Sequence, residues 1–364
     1  MMKKKLVILG AGPRGLAVAL RATTRKDLDI YVVDKHPLQT WSIPNMLPNI
    51  KMRSPISFDL VTFQKDLQQY SLHYFLKGTI NLLHTQKDVE LNNEFCSRVE
   101  FVDYLTHTIK VLKQKGVTFV KHNYKLIQKE YVQLCCNIQL PYDYLVVATG
   151  SETNEPNIPS FIRNKKIYNI QNVLNNSWSY ERCNVIGSGQ QAAEVVLHLI
   201  KERASVVWLQ NQEPKINQYP VPSYKLWGMG SALSGYFRNV TNKDEYLSKV
   251  KQWAPSITPE IHNQLKLYKT FTTIPLSTKD IDMDRKFVVT AGNKNSFKAI
   301  NWDFDIQEDR VHPRYPLITK NFASESNSNI FFTGLLALHY DGPRQGSIIS
   351  SGITASEIIN SIPS

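Results

Sequence analysis

Glycine is scarce in this chain, 16 in 364 residues, so a place where it clusters carries information. Cysteine is scarcer. Cys96, Cys135, Cys136 and Cys183 are the only four, and they contain no Cys-x-x-Cys pair. That spacing argues against a dithiol active site of the disulfide-exchanging kind and leads us to expect a reduced, cytoplasmic protein. The nine histidines form no His-x-x-x-His pair and no His/Cys cluster, so no metal is expected. No apolar run reaches the roughly 18 residues that a membrane-crossing helix needs, so no membrane span is expected. Met1 to Lys5 followed by Leu6-Val7-Ile8-Leu9 imitates a secretory leader, but Gly12-Pro13-Arg14 interrupts the run where a leader stays apolar. The net charge of +12 invites a nucleic-acid partner. Its carriers, however, are scattered among Asn, Gln and Tyr without a dense basic run, so no nucleic acid is expected and the charge suits small anionic ligands instead.

The glycines that are present fall twice into one pattern. Gly10-Ala11-Gly12-Pro13-Arg14-Gly15 follows the apolar run Leu6–Leu9 and precedes a helical stretch. Gly187-Ser188-Gly189-Gln190-Gln191-Ala192 follows Cys183-Asn184-Val185-Ile186 and precedes an apolar stretch to Ile200. Strand, tight turn and helix is the order a dinucleotide-binding loop requires. The first Gly permits the turn, the second lets backbone approach a pyrophosphate, and the third small residue lets helix and strand pack closely. With so little glycine, three at those offsets arise by accident with a probability of roughly 0.03. Asp34 ends the apolar run Ile30-Tyr31-Val32-Val33, 19 residues after Gly15, where an acid accepts from ribose hydroxyls. Two loops imply two bound dinucleotides.

Between the loops, residues 37–63 mix aromatic, Pro, Asn and Met residues without helical period and read as an ordered loop over a ligand. Phe101, Leu105, Ile109 and Leu112 recur at helix spacing and predict a helix from about Arg98 to Gln114, stopped by Gly116. Val117–Val120, Lys125–Ile127 and Tyr131–Ile138 read as a small antiparallel meander. Tyr142 to Val147 reads as a buried strand entering the Ala148-Thr149-Gly150 turn, and residues 150–159 as an interdomain linker. Residues 210–300 resist assignment. Ile330-Phe331-Phe332 reads as a buried strand ending at Thr333-Gly334, and residues 348–359 as a last helix that returns to the first domain. The fold class is thus α/β, with two Rossmann-like dinucleotide-binding domains, a small meander and a discontinuous first domain.

These segments together resemble the two-dinucleotide flavoproteins, and more narrowly the flavin-dependent N-hydroxylating monooxygenases of ornithine and lysine with their flavin-containing monooxygenase relatives. Gly10 to Gly15 matches the flavin loop. Trp41 through Met52-Arg53-Ser54, with Asp59-Leu60-Val61-Thr62, resembles the segment on the isoalloxazine. Residues 97–105 resemble an Arg-x-Glu-Phe-x-x-Tyr helix through Arg98, Glu100, Phe101 and Tyr104. Gly187 to Glu194 resembles the nicotinamide loop, with Gln191 where Ser is usual. The resemblance implies FAD held by Gly10, Gly12, Pro13, Arg14, Gly15, Asp34, Lys35, Trp41, Met52, Arg53, Thr149, Gly150 and Gly334. It implies a nicotinamide nucleotide at Gly187, Ser188, Gly189, Gln190 and Ala192. On this reading residues 1–155 begin the FAD domain, 156–300 bind NAD(P), and 301–364 return to the FAD domain.

The departures bear on the reaction. The family's carboxylate-holding Lys stands before Asp-Leu-x-Thr; here that position is Phe58, which cannot neutralise a carboxylate and would face the substrate as an apolar ring. Arg53 replaces a Gln beside the flavin and is the catalytic candidate, as a cation stabilising the reduced flavin or its peroxide; a surface ion pair is the alternative. Asp341 stands where the family's terminal element has His. After the second strand, Gln210-Asn211-Gln212 is neither the acid that selects NAD nor the Arg that selects NADP, and nearby Lys215 tilts the expectation towards NADP with NAD still open. Tyr219, Tyr224, Trp227 and Tyr236 read either as a substrate pocket or as core. The expected enzyme is an FAD-dependent, NAD(P)H-reduced monooxygenase, adding one oxygen atom from O2 to a small nucleophile through a peroxyflavin. A flavin reductase without oxygen transfer and a non-catalytic redox sensor remain as alternatives, and homo-oligomerisation stays open.

Overall fold

The computed structural model describes residues 3–37, 51–52, 54–80, 94–153, 162, 165–214, 241–243, 245, 257–268, 270–278, 280–290, 293–295, 297–310, 312–342, 345 and 348–364. The loop–helix unit opens the chain: β1 (Lys4–Leu9), α1 (Pro13–Ala22) and β2 (Leu28–Val33). β1 is apolar on both faces from Leu6 onward because both are covered. Pro13 takes the first position of α1, where a missing N–H costs nothing. Then come α2 (Leu72–Lys77) and α3 (Arg98–Gln114), the latter with the bounds its period predicted. α3 starts on a capping box in which Ser97 Oγ accepts from Glu100 N at 3.1 Å and Glu100 Oε2 accepts from Ser97 N at 2.6 Å.

The next strands correct the expected meander. β3 (Thr118–Val120) pairs parallel with β2 and is the edge of the main sheet. The antiparallel meander is β4 (Tyr124–Ile127), β5 (Tyr131–Leu134) and β6 (Gln139–Pro141). The run expected as one strand to Ile138 is broken after Leu134 by a turn whose Asn137 takes φ +60°, a left-handed conformation Asn tolerates. β7 (Tyr144–Val147) returns beside β1.

A short ribbon marks the crossing to the second unit. β8 (Ser151–Thr153) lies in the stretch expected to be a linker and pairs with a strand more than a hundred residues later. The second unit comprises β9 (Ile167–Tyr168), α4 (Ile170–Asn175), β10 (Arg182–Ile186), α5 (Gln190–Lys201), β11 (Ser205–Gln210), α6 (Pro259–Lys266), β12 (Phe271–Pro275) and β13 (Lys286–Val289). β12 and β13 fall in the stretch that resisted assignment. β14 (Asn293–Asn295) closes the ribbon against β8, and β15 (Ile330–Phe332), α7 (Leu338–Asp341) and α8 (Ser350–Ser361) end the chain.

Two five-stranded parallel sheets result, ordered β15-β7-β1-β2-β3 and β12-β11-β10-β13-β9. In each, the strand before a glycine loop is flanked by the strand that follows its helix and by a later crossover strand, so both loops sit where the strand order reverses, the ligand-binding position of open α/β sheets. One core joins β1, α1, α3 and β7 to Phe297, Ile300, β15 and α8, which is the return to the first sheet that the last strand and helix predicted. The second sheet carries separate apolar clusters on its two faces. Among the described residues no helix is long and apolar enough to cross a membrane.

Candidate functional site

Gly10 has φ +107°, and a Cβ there would lie 2.4 Å from Ala148 O. The Ala148-Thr149-Gly150 turn is therefore packed against the first loop, with Ala148 N donating to Leu9 O at 2.9 Å. At Gly15 an added Cβ would stand 1.9 Å from Gly10 O. Gly12 differs: a Cβ there meets nothing within 4 Å, and no side chain caps α1 at this residue. The first-turn amides and the open side of Gly12 together form a cradle that fits a pyrophosphate.

Asp34 is buried at the end of β2, and both its oxygens are engaged, with Oδ2 accepting from Ala11 N and Oδ1 from His36 N, each at 2.7 Å. It thus shapes the loop itself, while a carboxylate's remaining lone pairs leave room for ribose hydroxyls. Lys35 is exposed beside it. Arg14 reaches the other end of the chain, where Nη2 donates to Gln345 O at 2.8 Å. Gln345 is buried; its Nε2 donates to Asp341 Oδ2 at 2.6 Å and to Thr354 Oγ1 at 2.8 Å, and its Oε1 accepts from Gly334 N at 3.2 Å. Gly334, at φ +68°, lies against the Arg14 stem. The structure thereby brings Gly10, Gly12, Pro13, Arg14, Gly15, Asp34, Thr149, Gly150 and Gly334 to one end of the first sheet. Met52 is half-buried, with N donating to Cys96 O at 2.8 Å. Trp41, Arg53, Lys215 and the Tyr219–Tyr236 aromatics lie outside the described residues.

The Asp59-Leu60-Val61-Thr62 element is a buried clamp. Asp59 Oδ1 accepts from Val61 N at 2.8 Å and Oδ2 from Leu72 N at 2.7 Å, which ties the turn to the start of α2. α8 presses on it through Gly352, whose added Cβ would lie 2.6 Å from Thr62 O. Phe58, immediately before, is buried at 1% exposure. Burial outweighs the hydrogen bonds and pushes the Asp59 carboxyl up to about 6. The folded chain therefore keeps this proton between roughly pH 4 and pH 6, where the unfolded chain has released it, and stability falls as pH rises through that window by up to about 3 kcal/mol. Denaturant titrations of wild type and Asp59→Asn should show the wild-type advantage shrinking from pH 4 to pH 6 and constant above pH 7. A difference independent of pH would overturn this.

The second loop repeats the first with different neighbours. Gly187 has φ +142°, and its Cβ would strike Thr290 Oγ1 at 2.1 Å, so Thr290 after β13 plays the part of Ala148 after β7. Trp208 Nε1 donates to Gly187 O at 2.7 Å, and Ser188 Oγ accepts from Asn211 N at 3.0 Å. Gly189 faces open space and, like Gly12, begins a helix that no side chain caps. Ala192 fits as the third small residue because its Cβ stands 3.2 Å from the place a Gly187 Cβ would occupy. The Gln190 amide is already committed: Nε2 donates to Glu194 Oε1 at 2.9 Å and Oε1 accepts from Thr258 N at 2.8 Å. It organises the loop, leaving backbone to meet a ligand. Beside the loop a cavity of about 400 Å³ is lined by Trp208, Gln210, Glu213, His262 and Lys266. Burial, then the Lys266 charge, holds His262 below its ordinary pKa.

One contact joins the two halves in a way that local reading missed. Arg98 and Glu194 form a buried, bidentate ion pair, Nη1 to Oε2 at 2.8 Å and Nη2 to Oε1 at 2.7 Å. Both residues lie in motifs that carry the family resemblance, but pairing them needs the tertiary structure. The helix motif is now explained residue by residue: Arg98 makes this pair, Glu100 caps, Phe101 is core, and the Tyr104 hydroxyl donates to Tyr70 O at 2.9 Å.

The profile of the L-lysine 6-monooxygenase/L-ornithine 5-monooxygenase family matches residues 3–221 of this chain. The chain is 25% identical over 234 residues to the L-ornithine N(5)-monooxygenase of Coprinopsis cinerea, a match covering 55% of this chain and 42% of that protein. The matched part thus spans less than half of that relative. Among solved structures, the FAD-bound cadaverine monooxygenase DfoA of the desferrioxamine pathway in Erwinia amylovora superposes with a TM-score of 0.76 at 16% identity, covering 99% of this chain and 94% of that one. The ornithine N-hydroxylase KtzI of Kutzneria sp. 744, with reduced FAD, NADP+ and L-ornithine, gives 0.77 at 16% identity, covering 99% and 98%. At such identities these two establish the shared two-domain fold.

Proposed function

The chain belongs to the L-lysine 6-monooxygenase/L-ornithine 5-monooxygenase family, and from that premise we propose that it is an FAD-dependent, NADPH-reduced N-hydroxylating monooxygenase acting with O2 on a small amine. The observation that carries this reading is the pair of glycine cradles, open at Gly12 and Gly189, at the reversal points of two sheets tied together by Arg98 and Glu194. In this assignment residues 1–155 and 301–364 hold FAD, and residues 156–300 hold the nicotinamide nucleotide. When bound, the flavin supplies hydride acceptance and oxygen transfer. The protein groups bind and orient. Gly12 and the α1 amides take the pyrophosphate, Asp34 the ribose, and the Thr149, Gly150 and Gly334 turns close around the rest, with Trp41, Met52 and Arg53 assigned to the flavin ring. Lys266 lines the second cavity together with His262 and Glu213 and is assigned to the nucleotide's phosphate, and NADPH is assigned over NADH. The free thiols of all four cysteines suit a cytoplasmic location.

The substrate class is inferred from the cation missing at Phe58. With an apolar, buried ring where the family resemblance places a carboxylate-holding Lys, a diamine such as the cadaverine named for DfoA fits better than a free amino acid. The test incubates the FAD-loaded protein with NADPH, O2 and cadaverine, putrescine, lysine or ornithine, and follows hydroxylamine product, hydrogen peroxide and NADPH consumption together. Diamines should couple NADPH oxidation to hydroxylamine at least tenfold better than the amino acids, and Phe58→Lys should narrow that ratio. If NADPH is consumed with peroxide as the sole oxygen product for every amine, the reductase reading replaces this one.

A further inference from the structure

The Arg98–Glu194 pair is placed where helix stability does not explain it. Arg98 is the first residue of α3, and a cation at a helix N-terminus opposes the helix dipole. Its backbone is nevertheless fixed there by the Ser97–Glu100 capping box, while Phe101 and Tyr104 root the same helix in the first core. Glu194 lies one turn into α5, the helix that begins at the second glycine loop, and is 2% exposed. Its Oε1 accepts both from Arg98 Nη2 at 2.7 Å and from Gln190 Nε2 at 2.9 Å. Gln190 in turn takes Thr258 N at 2.8 Å, and Thr258 is the residue that begins α6 beside the second cavity. A continuous polar chain therefore runs from the first core through the second loop to the cavity wall. A fork-to-carboxylate contact constrains orientation as well as distance, which apolar packing between two units does not.

From this geometry we infer that Arg98 and Glu194 are positioning residues, which fix the angle of the second nucleotide loop relative to the first so that hydride transfer occurs within reach. The inference rests on the proposed function. With both cofactors bound, the hydride, two electrons with one proton, would pass from the nicotinamide to the flavin; the ion pair would gain and lose no proton and act only through the frame it holds. Transfer rates fall steeply when reacting atoms are misplaced by about 1 Å, so loss of the pair should lower the rate of transfer more than the affinity for nucleotide.

The experiment uses the full FAD-loaded chain carrying Arg98→Met with Glu194→Gln. This double variant removes both charges together and keeps an amide oxygen for Gln190. Anaerobic flavin reduction by NADPH should slow at least tenfold, while NADP+ affinity by calorimetry stays within threefold and dithionite reduces the flavin as in wild type. Hydrogen exchange should rise across residues 187–194, a readout independent of turnover. Arg98→Lys, which keeps charge but not the fork, should fall between, and it serves if the double variant does not fold. A reduction rate within twofold of wild type in these variants overturns the inference. If wild type itself is reduced by neither nucleotide, the proposed function fails separately. Exchange at residues 187–194 then decides, loss of protection supporting the positioning contact and unchanged protection overturning it.

Discussion

Gly12→Ala should fold as wild type does and fail to hold FAD. The residue sits at φ −73° and ψ 178°, a conformation open to any L-residue, and an added methyl meets no protein atom within 4 Å. Nothing among the described residues opposes the substitution, and reduced unfolded-state entropy should even favour it slightly. The same methyl, however, stands in the cradle where backbone must approach a pyrophosphate. Lost contact with the α1 amides should weaken FAD by on the order of 100-fold, about 3 kcal/mol. Gly10→Ala and Gly15→Ala should behave oppositely. Their methyls would lie 2.4 Å from Ala148 O and 1.9 Å from Gly10 O, so the fold must shift, at a cost near or above the roughly 1–3 kcal/mol typical of overpacking. Urea unfolding of each apoprotein, set beside FAD titration by fluorescence, separates the two cases. A Gly12→Ala protein that binds FAD normally would remove the cradle assignment. Gly189→Ala and Gly187→Ala should repeat the contrast for NADPH.

Arg98→Met alone should strongly destabilise the contact between the two units. Among the described residues it leaves the Glu194 carboxylate, 2% exposed, with Gln190 as its remaining donor. An unpaired buried charge costs roughly 3–5 kcal/mol, whereas removing both partners together is often close to neutral. The pair is neutral and the hole is not. The double variant with Glu194→Gln should therefore recover most of the loss, giving a strong coupling in a double-mutant cycle read by urea unfolding. Additive losses would mean that solvent reaches the carboxylate once Arg98 is gone.

The parts of this fold legible without coordinates are those set by neighbours in sequence. The α3 bounds follow from the period of Phe101, Leu105, Ile109 and Leu112, since one turn of helix repeats every few residues. The β1 and β10 loops follow from glycine offsets, because the constraint on Gly10 is a backbone angle and a methyl-sized gap. What misled is equally particular. Thr118–Val120 looks like any short strand, and only its pairing with β2 rather than β4 makes it the sheet edge. β12 and β13 were obscure because Phe271–Pro275 and Lys286–Val289 are short and their partners lie outside the local window. The Gln190 side-chain amide bonds Glu194 and Thr258, partners 4 and 68 positions away that its place in the loop does not reveal.

By itself the sequence determined that this chain carries two glycine loops between strand and helix and no Cys-x-x-Cys pair, because turn angle, small-residue offsets and cysteine spacing are written in residues that are close along the chain. Tertiary structure alone decided which distant residues are tied together around those loops. The Arg98–Glu194 fork spans 96 positions, the Arg14–Gln345 contact spans 331, and the pressing of α8 on Thr62 depends on a missing methyl at Gly352. None of these has a local signature, since an ion pair or a close approach is a property of two surfaces that meet only after the chain has folded.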